Sequence, residues 1–143
     1  MVKKYFPSFF AVSAGLIHLT ANVIDILVLH FLTVQTLYLL VSYTFLIESI
    51  FAGLGGTILL YEGITSYRHQ MMPAKVWLKW GAILGLLGLA ISILELLTFG
   101  PPLPAQIGYS AALTLTAFRG IGVQLSLIAL REAKARIHEE TPV

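Results

Sequence analysis

The sequence predicts an all-α integral membrane protein, a four-transmembrane-helix bundle of up-down-up-down topology with both termini cytoplasmic. Three observations predict it. Hydrophobic residues make up 57% of the 143-residue chain, charged residues only 11%, and the mean hydropathy is +0.86. A soluble domain carries about 25% charged residues, so this chain lacks the polar surface to meet water on all sides. Its apolar residues gather into four stretches, each long enough to cross the roughly 30 Å hydrocarbon layer. Finally, eight of the nine Lys and Arg residues fall on one side of the resulting hairpins. We read residues 1–143 as a single membrane domain.

The first span covers residues 7–32 and follows Lys3 and Lys4. Those lysines ahead of "FFAVSA" resemble the start of a signal peptide, with Ala14 as a cleavage residue. Pro7 interrupts the apolar run and hydrophobicity continues well past Ala14, so cleavage is not expected. The second span, 37–65, is separated from the first by "TVQT" (33–36), which has neither Gly nor Pro. A turn is still required, because one helix over 7–65 would far exceed the bilayer. "YRHQMMPAK" (67–75) and the three prolines of "FGPPLPAQIG" (99–108) mark the remaining breaks, giving spans at 75–98 and 109–131. Residues 132–143 form a cytoplasmic tail, in which "REAKARIHEE" prolongs helix four with a solvated, mixed-charge face.

Lys3, Lys4, Arg68, Lys75, Lys79, Arg131, Lys134 and Arg136 set the orientation, since cytoplasmic loops collect positive charge. Trp77 and Trp80 beside Lys75 and Lys79 fit an aromatic belt at the inner surface. The expected location is the cell membrane, multi-pass. Without cysteine, disulfides, thiolate metal sites and cysteine nucleophiles are excluded.

The remaining basic residue, Arg119, lies inside "LTLTAFRGIGVQLSLIAL" (113–130). Helical periodicity places it on a stripe with Gly108, Ala112, Thr116, Gly122 and Ser126. The other spans have matching stripes. Helix one aligns Ala11, Ala14, His18, Ala21, Asn22 and Asp25; helix two aligns Thr44, Glu48, Ala52, Gly55, Glu62 and Ser66; helix three aligns Gly81, Gly85, Gly88, Ser92 and Glu95. Small residues let membrane helices approach closely, and polar groups on the same stripe bond across the interface. A charge facing lipid costs about 2.5–3.5 kcal/mol even on lenient scales. The four stripes are therefore expected to face one another, with Gly81, Gly85, Gly88 and Gly122 as helix-packing positions.

With a rise of about 1.5 Å per residue, Glu48 lies within about 3 Å of the Arg119 level, Asp25 about 7 Å and Glu95 about 11 Å toward the outside. Glu48 is the preferred partner of Arg119, followed by Asp25, while Glu62 sits near the cytoplasmic interface where water reaches it. Three carboxylates against one guanidinium imply that at least one is protonated, hydrated or paired with a group from elsewhere. His18, two turns below Asp25, is expected as a neutral core histidine bonded to a backbone carbonyl or Asn22, or as a further partner of the cluster.

No motif points to a reaction. There is no Ser–His–acid set, no HExxH and no acidic metal motif, and "AGLGG" (52–56) lacks the strand and basic residue of a phosphate loop. Met71 and Met72 read as membrane-surface contacts rather than metal ligands. Haem would need a second ligand from a partner chain, because helices two, three and four contain no histidine and His30 and His69 are misplaced. "GAILG" (81–85) reads as packing within the chain, with a dimer seam as the alternative. Gln124 lies off the Arg119 stripe, where it faces a partner helix. No metal and no catalytic residue are predicted.

The sequence thus predicts a small, non-enzymatic subunit of a larger membrane complex, of respiratory or redox type, with the buried charge cluster (Arg119, Glu48, Asp25, Glu95 and His18) stabilising the bundle. One alternative is a proton- or cation-coupled transporter using Asp25, Glu48 and Arg119. Another is a lipid-, quinone- or haem-binding membrane protein. Expected partners are the lipid bilayer and other membrane subunits or further copies of the chain, not nucleic acid.

Overall fold

A computed structural model describes residues 5–34, 39–99 and 105–140, with side chains described over 5–27, 46–98 and 112–135. Four helices account for nearly all of it: α1 (Phe6–Val34), α2 (Leu39–Arg68), α3 (Lys75–Phe99) and α4 (Ala105–Glu140). Each contains a segment long and apolar enough to cross a membrane: Phe6–Leu27, Leu46–Arg68, Lys75–Thr98 and Ala112–Ala135. Leu, Ile and Ala dominate these segments, and proline occurs inside only one of them, as Pro7 in the first turn of α1, where its missing N–H costs nothing.

The boundaries differ from the sequence reading in three places. Thr33 and Val34 belong to α1 rather than to a turn, while 35–38 lies outside the described residues. The helix α2 continues to Arg68, beyond the expected end at 65, because the residues after it cap it. The stretch 105–108, read as loop, forms the first turn of α4, and the proline-bearing 100–104 lies outside the described residues. With no Pro or Gly between Gly122 and Glu140, α4 runs on to Glu140.

The helices pack in a ring: α1 lies against α2 and α4, and α3 lies against the same two. Small residues make this possible. A methyl group on Gly15 would fall 2.6 Å from the backbone nitrogen of Leu60, and one on Gly55 would fall 2.9 Å from that of Gly85. Backbones at those points nearly touch. Ala11, Ala14, Leu59, Leu78, Ala129 and Ala133 form an apolar core beside this contact zone.

Burial is inverted relative to a water-soluble protein. Among the largest fully buried side chains are Arg119, His18, Glu48 and Asp25. Leu97 is 79% exposed, and Phe9, Val76 and Leu94 are each exposed by more than half. Apolar groups outside and ionisable groups inside is the distribution a hydrocarbon solvent demands. The chain is a multi-pass membrane protein.

Candidate functional site

Arg119 stands at the centre of the structure, 2% exposed, on the inward face of α4. Its Nη1 donates to Oε1 of Glu48 on α2, and its Nη2 forms an ion pair with Oδ2 of Asp25 on α1. Nη1 also donates to Oγ of Ser92 on α3 at 2.6 Å. One guanidinium therefore ties all four helices together. Arginine suits this role because its planar fork offers several donors in fixed directions and keeps its proton. Ser92 lies 3.4 Å from Oγ1 of Thr116, one turn before Arg119, which continues the polar contact between α3 and α4.

Glu48 and Asp25 are buried as deeply as Arg119, with exposures of 0% and 1%. In low dielectric a paired charge is tolerable and a lone one is not, so each member makes the burial of the others possible. Glu95, one turn beyond Ser92 on the same face of α3, is also buried. Among the described residues, Oδ1 of Asp25, Oε2 of Glu48 and Nε of Arg119 have no hydrogen-bond partner. The cluster thus has spare acceptors as well as filled ones.

His18 is 1% exposed and lies deeper along α1 than Asp25. Neither ring nitrogen has a hydrogen-bond partner among the described residues, so the expected bond to Asn22 or a carbonyl is not formed. Glycines make room for the ring instead. A methyl group on Gly85 of α3 would fall 2.6 Å from Nε2, one on Gly122 of α4 would fall 3.1 Å from Cε1, and one on Gly56 of α2 would fall 2.9 Å from the His18 Cβ. The imidazole fills the place where three neighbouring helices lack side chains.

Two further glycines of α3 serve its packing against α2: Gly81 meets Leu59, and Gly88 meets Ala52. The "GAILG" pair therefore lies against Gly55 within the same chain. Asn22 lies against Gly53, and its Oδ1 has no partner among the described residues. Thr44, Gly108 and His30 lie outside the stretches whose side-chain environment is described. Glu62, expected to be simply hydrated, accepts from Oγ of Ser66 at 3.1 Å and from the backbone N–H of Ala74. The Ser66 bond follows from the shared stripe, but spacing could not reveal the Ala74 bond, in which Glu62 reaches across the turn rather than along its own helix.

Among the described residues no group of three or more His, Asp or Glu side chains is arranged to hold a metal ion. The arrangement provides a permanently charged clasp and a sequestered imidazole, both sealed from lipid.

No family model matches the chain, and no solved structure matches it. Among curated proteins it is similar to an uncharacterized glycosyltransferase of Synechocystis sp., with 39% identity over 83 residues, 55% of this chain and 24% of the relative. The chain therefore spans about a quarter of the length of the curated relative it matches.

Proposed function

We propose that the chain is a non-enzymatic membrane subunit that docks, through the outer face of α4, onto a transmembrane helix of a larger complex. The observation that carries this reading is Gln124. It lies at the middle of the span Ala112–Ala135 and is exposed, among the exposed Ile121, Leu127 and Ile128. A primary amide facing hydrocarbon leaves two donors and an acceptor unsatisfied. One turn before it, a methyl group on Gly120 would meet nothing within 4 Å, and Ala117 completes a shallow small-residue face. A flat strip with one amide is the surface that a second membrane helix covers, by close approach and an interhelical hydrogen bond.

The similarity to a quarter of a glycosyltransferase suggests the class of partner: a catalytic chain that transfers a sugar, with this chain as its membrane-embedded companion. The buried cluster holds the scaffold rigid. We further read the helices as up-down-up-down with both termini cytoplasmic, in the cell membrane. The antiparallel run of α1 and α2 is supported by their contacts, in which Gly63, Gly56 and Gly53 of α2 face Val12, Gly15 and Asn22 of α1 in turn, and the cytoplasmic side by the placement of Lys and Arg.

A photo-crosslinking side chain at Gln124 tests the reading in native membranes, with one at the exposed Leu94 of α3 as reference. The expected result is a covalent adduct to one transmembrane protein from position 124 and lipid adducts alone from position 94. Lipid adducts alone from both would contradict the proposal.

A second reading is favoured by the unfilled acceptors of Asp25 and Glu48 and the unbonded His18: passage of protons or cations through the centre. Reconstituted vesicles decide it. Flux abolished by Asp25→Asn and Glu48→Gln supports a transporter, and flux indifferent to both removes it.

A further inference from the structure

We infer that the basic end of α2 binds one two-chain phospholipid with an anionic headgroup, its phosphate held by Arg68 and His69 and its hydrocarbon chains lying on either side of Ile64. Two grooves meet at that residue. The first, about 520 Å³, runs between α1 and α2 and is walled by Tyr5, Phe9, Val12, Ile64 and Tyr67. The second, about 540 Å³, runs along α2 past Leu60, Tyr61 and Ile64 to Arg68 and His69. At about 100° per residue, Tyr67 falls to one side of Ile64 while Tyr61 and Arg68 fall to the other, so Ile64 is the ridge between them.

The dimensions suit a lipid. From Thr57 to Arg68 the second groove extends eleven residues, about 16 Å along the axis. One leaflet is half of a hydrocarbon core about 30 Å thick. A hydrocarbon chain hanging from Arg68 would therefore reach the end of the groove near the bilayer middle. A partner helix would fill one groove and leave the other open, whereas a headgroup bearing two chains fills both.

The charge is complementary as well. Arg68 and His69 are exposed, and Arg68 makes no ion pair among the described residues. The nearest acid on the same helix, Glu62, is turned toward Ser66 and the Ala74 amide instead. The carbonyls at the end of α2 are already occupied by the amides of His69, Gln70 and Met71. Lys75 opens α3 a few residues on. The guanidinium and the imidazole N–H thus stand free beside two apolar channels, and a phosphate diester is the group that satisfies both kinds of surface.

Native mass spectrometry of the detergent-solubilised protein, titrated with phosphatidylglycerol or phosphatidylcholine of identical chains, tests the site. One phosphatidylglycerol should be retained in preference to phosphatidylcholine. Arg68→Gln should weaken that retention by about tenfold or more, the loss expected for one charge-assisted hydrogen bond. Ile64→Trp, which fills the grooves but leaves Arg68 and His69, should release both lipids, while Lys79→Gln should change neither. Equal retention of the two lipids, or retention unchanged in Arg68→Gln, would overturn the assignment. Phosphatidylglycerol retained undiminished by Ile64→Trp would do so too, by showing a headgroup-only contact of the kind inorganic phosphate makes. This site lies on α2, away from Gln124, so its failure and that of the partner-helix reading are distinguishable.

Discussion

Arg119 shows how a single side chain organises this protein. Removing it would leave Asp25 and Glu48 buried without a counter-charge, a situation that costs about 3–5 kcal/mol for a buried pair. The more diagnostic residue is His18, because its environment is made of absences. Gly85→Ala would push a methyl group to within 2.6 Å of Nε2, and the cost expected for overpacking is about 1–3 kcal/mol. His18→Ala in the same chain should restore much of that loss. Thermal unfolding of the single and double variants in detergent measures this, and additive losses would show that the ring and Gly85 do not meet. Stripe membership of His18, Gly85 and Gly122 was readable from spacing, since all three lie on small-residue faces. Their mutual contact was not readable, because spacing gives the angle of a residue around its own helix and says nothing of the rotation of its neighbours.

At the scale of elements, the turn between α2 and α3 carries the local chemistry. The amide of Met71 donates to Ser66, that of Gln70 to Tyr67, and Gln70 takes the left-handed conformation with φ of 53°. This is a Schellman cap with glutamine where glycine is usual. Gln70→Gly should stabilise the protein by about 1 kcal/mol, the cost an L residue bears in that region, seen as a raised melting temperature. On the other side of the turn, Glu62 receives the Ala74 amide, and the carbonyl of Ala74 accepts from Leu78. The carboxylate therefore acts as the N-cap acceptor for α3, supplied by a different helix. Glu62→Ala should cost about 1 kcal/mol, with Glu62→Gln retaining most of it. The polar, proline-bearing stretch 67–75 made a break here legible in the sequence, but no glycine announced the cap, so the sequence reading ends α2 three residues short of Arg68.

On the scale of the whole molecule, composition alone carried the membrane assignment. An 11% charged chain cannot cover itself with polar groups, and the structure places exposed Leu, Ile, Val and Phe where lipid would be. The topology follows as a prediction. A cysteine at Met71, on the exposed turn, should react with membrane-impermeant reagents only from the cytoplasmic side in oriented vesicles. Partner identity was beyond the sequence for a physical reason: under the reading proposed above, the docking surface would be no more than a strip of exposed amide and small residues, Gln124 above Gly120. The central claim is that the four spans are joined through one shared ionic contact. A double-mutant cycle with Arg119→Met and Glu48→Gln, followed by unfolding in mild detergent, tests this most directly. The coupling predicted is about 1–3 kcal/mol, whereas losses that add to within about 0.5 kcal/mol would contradict it.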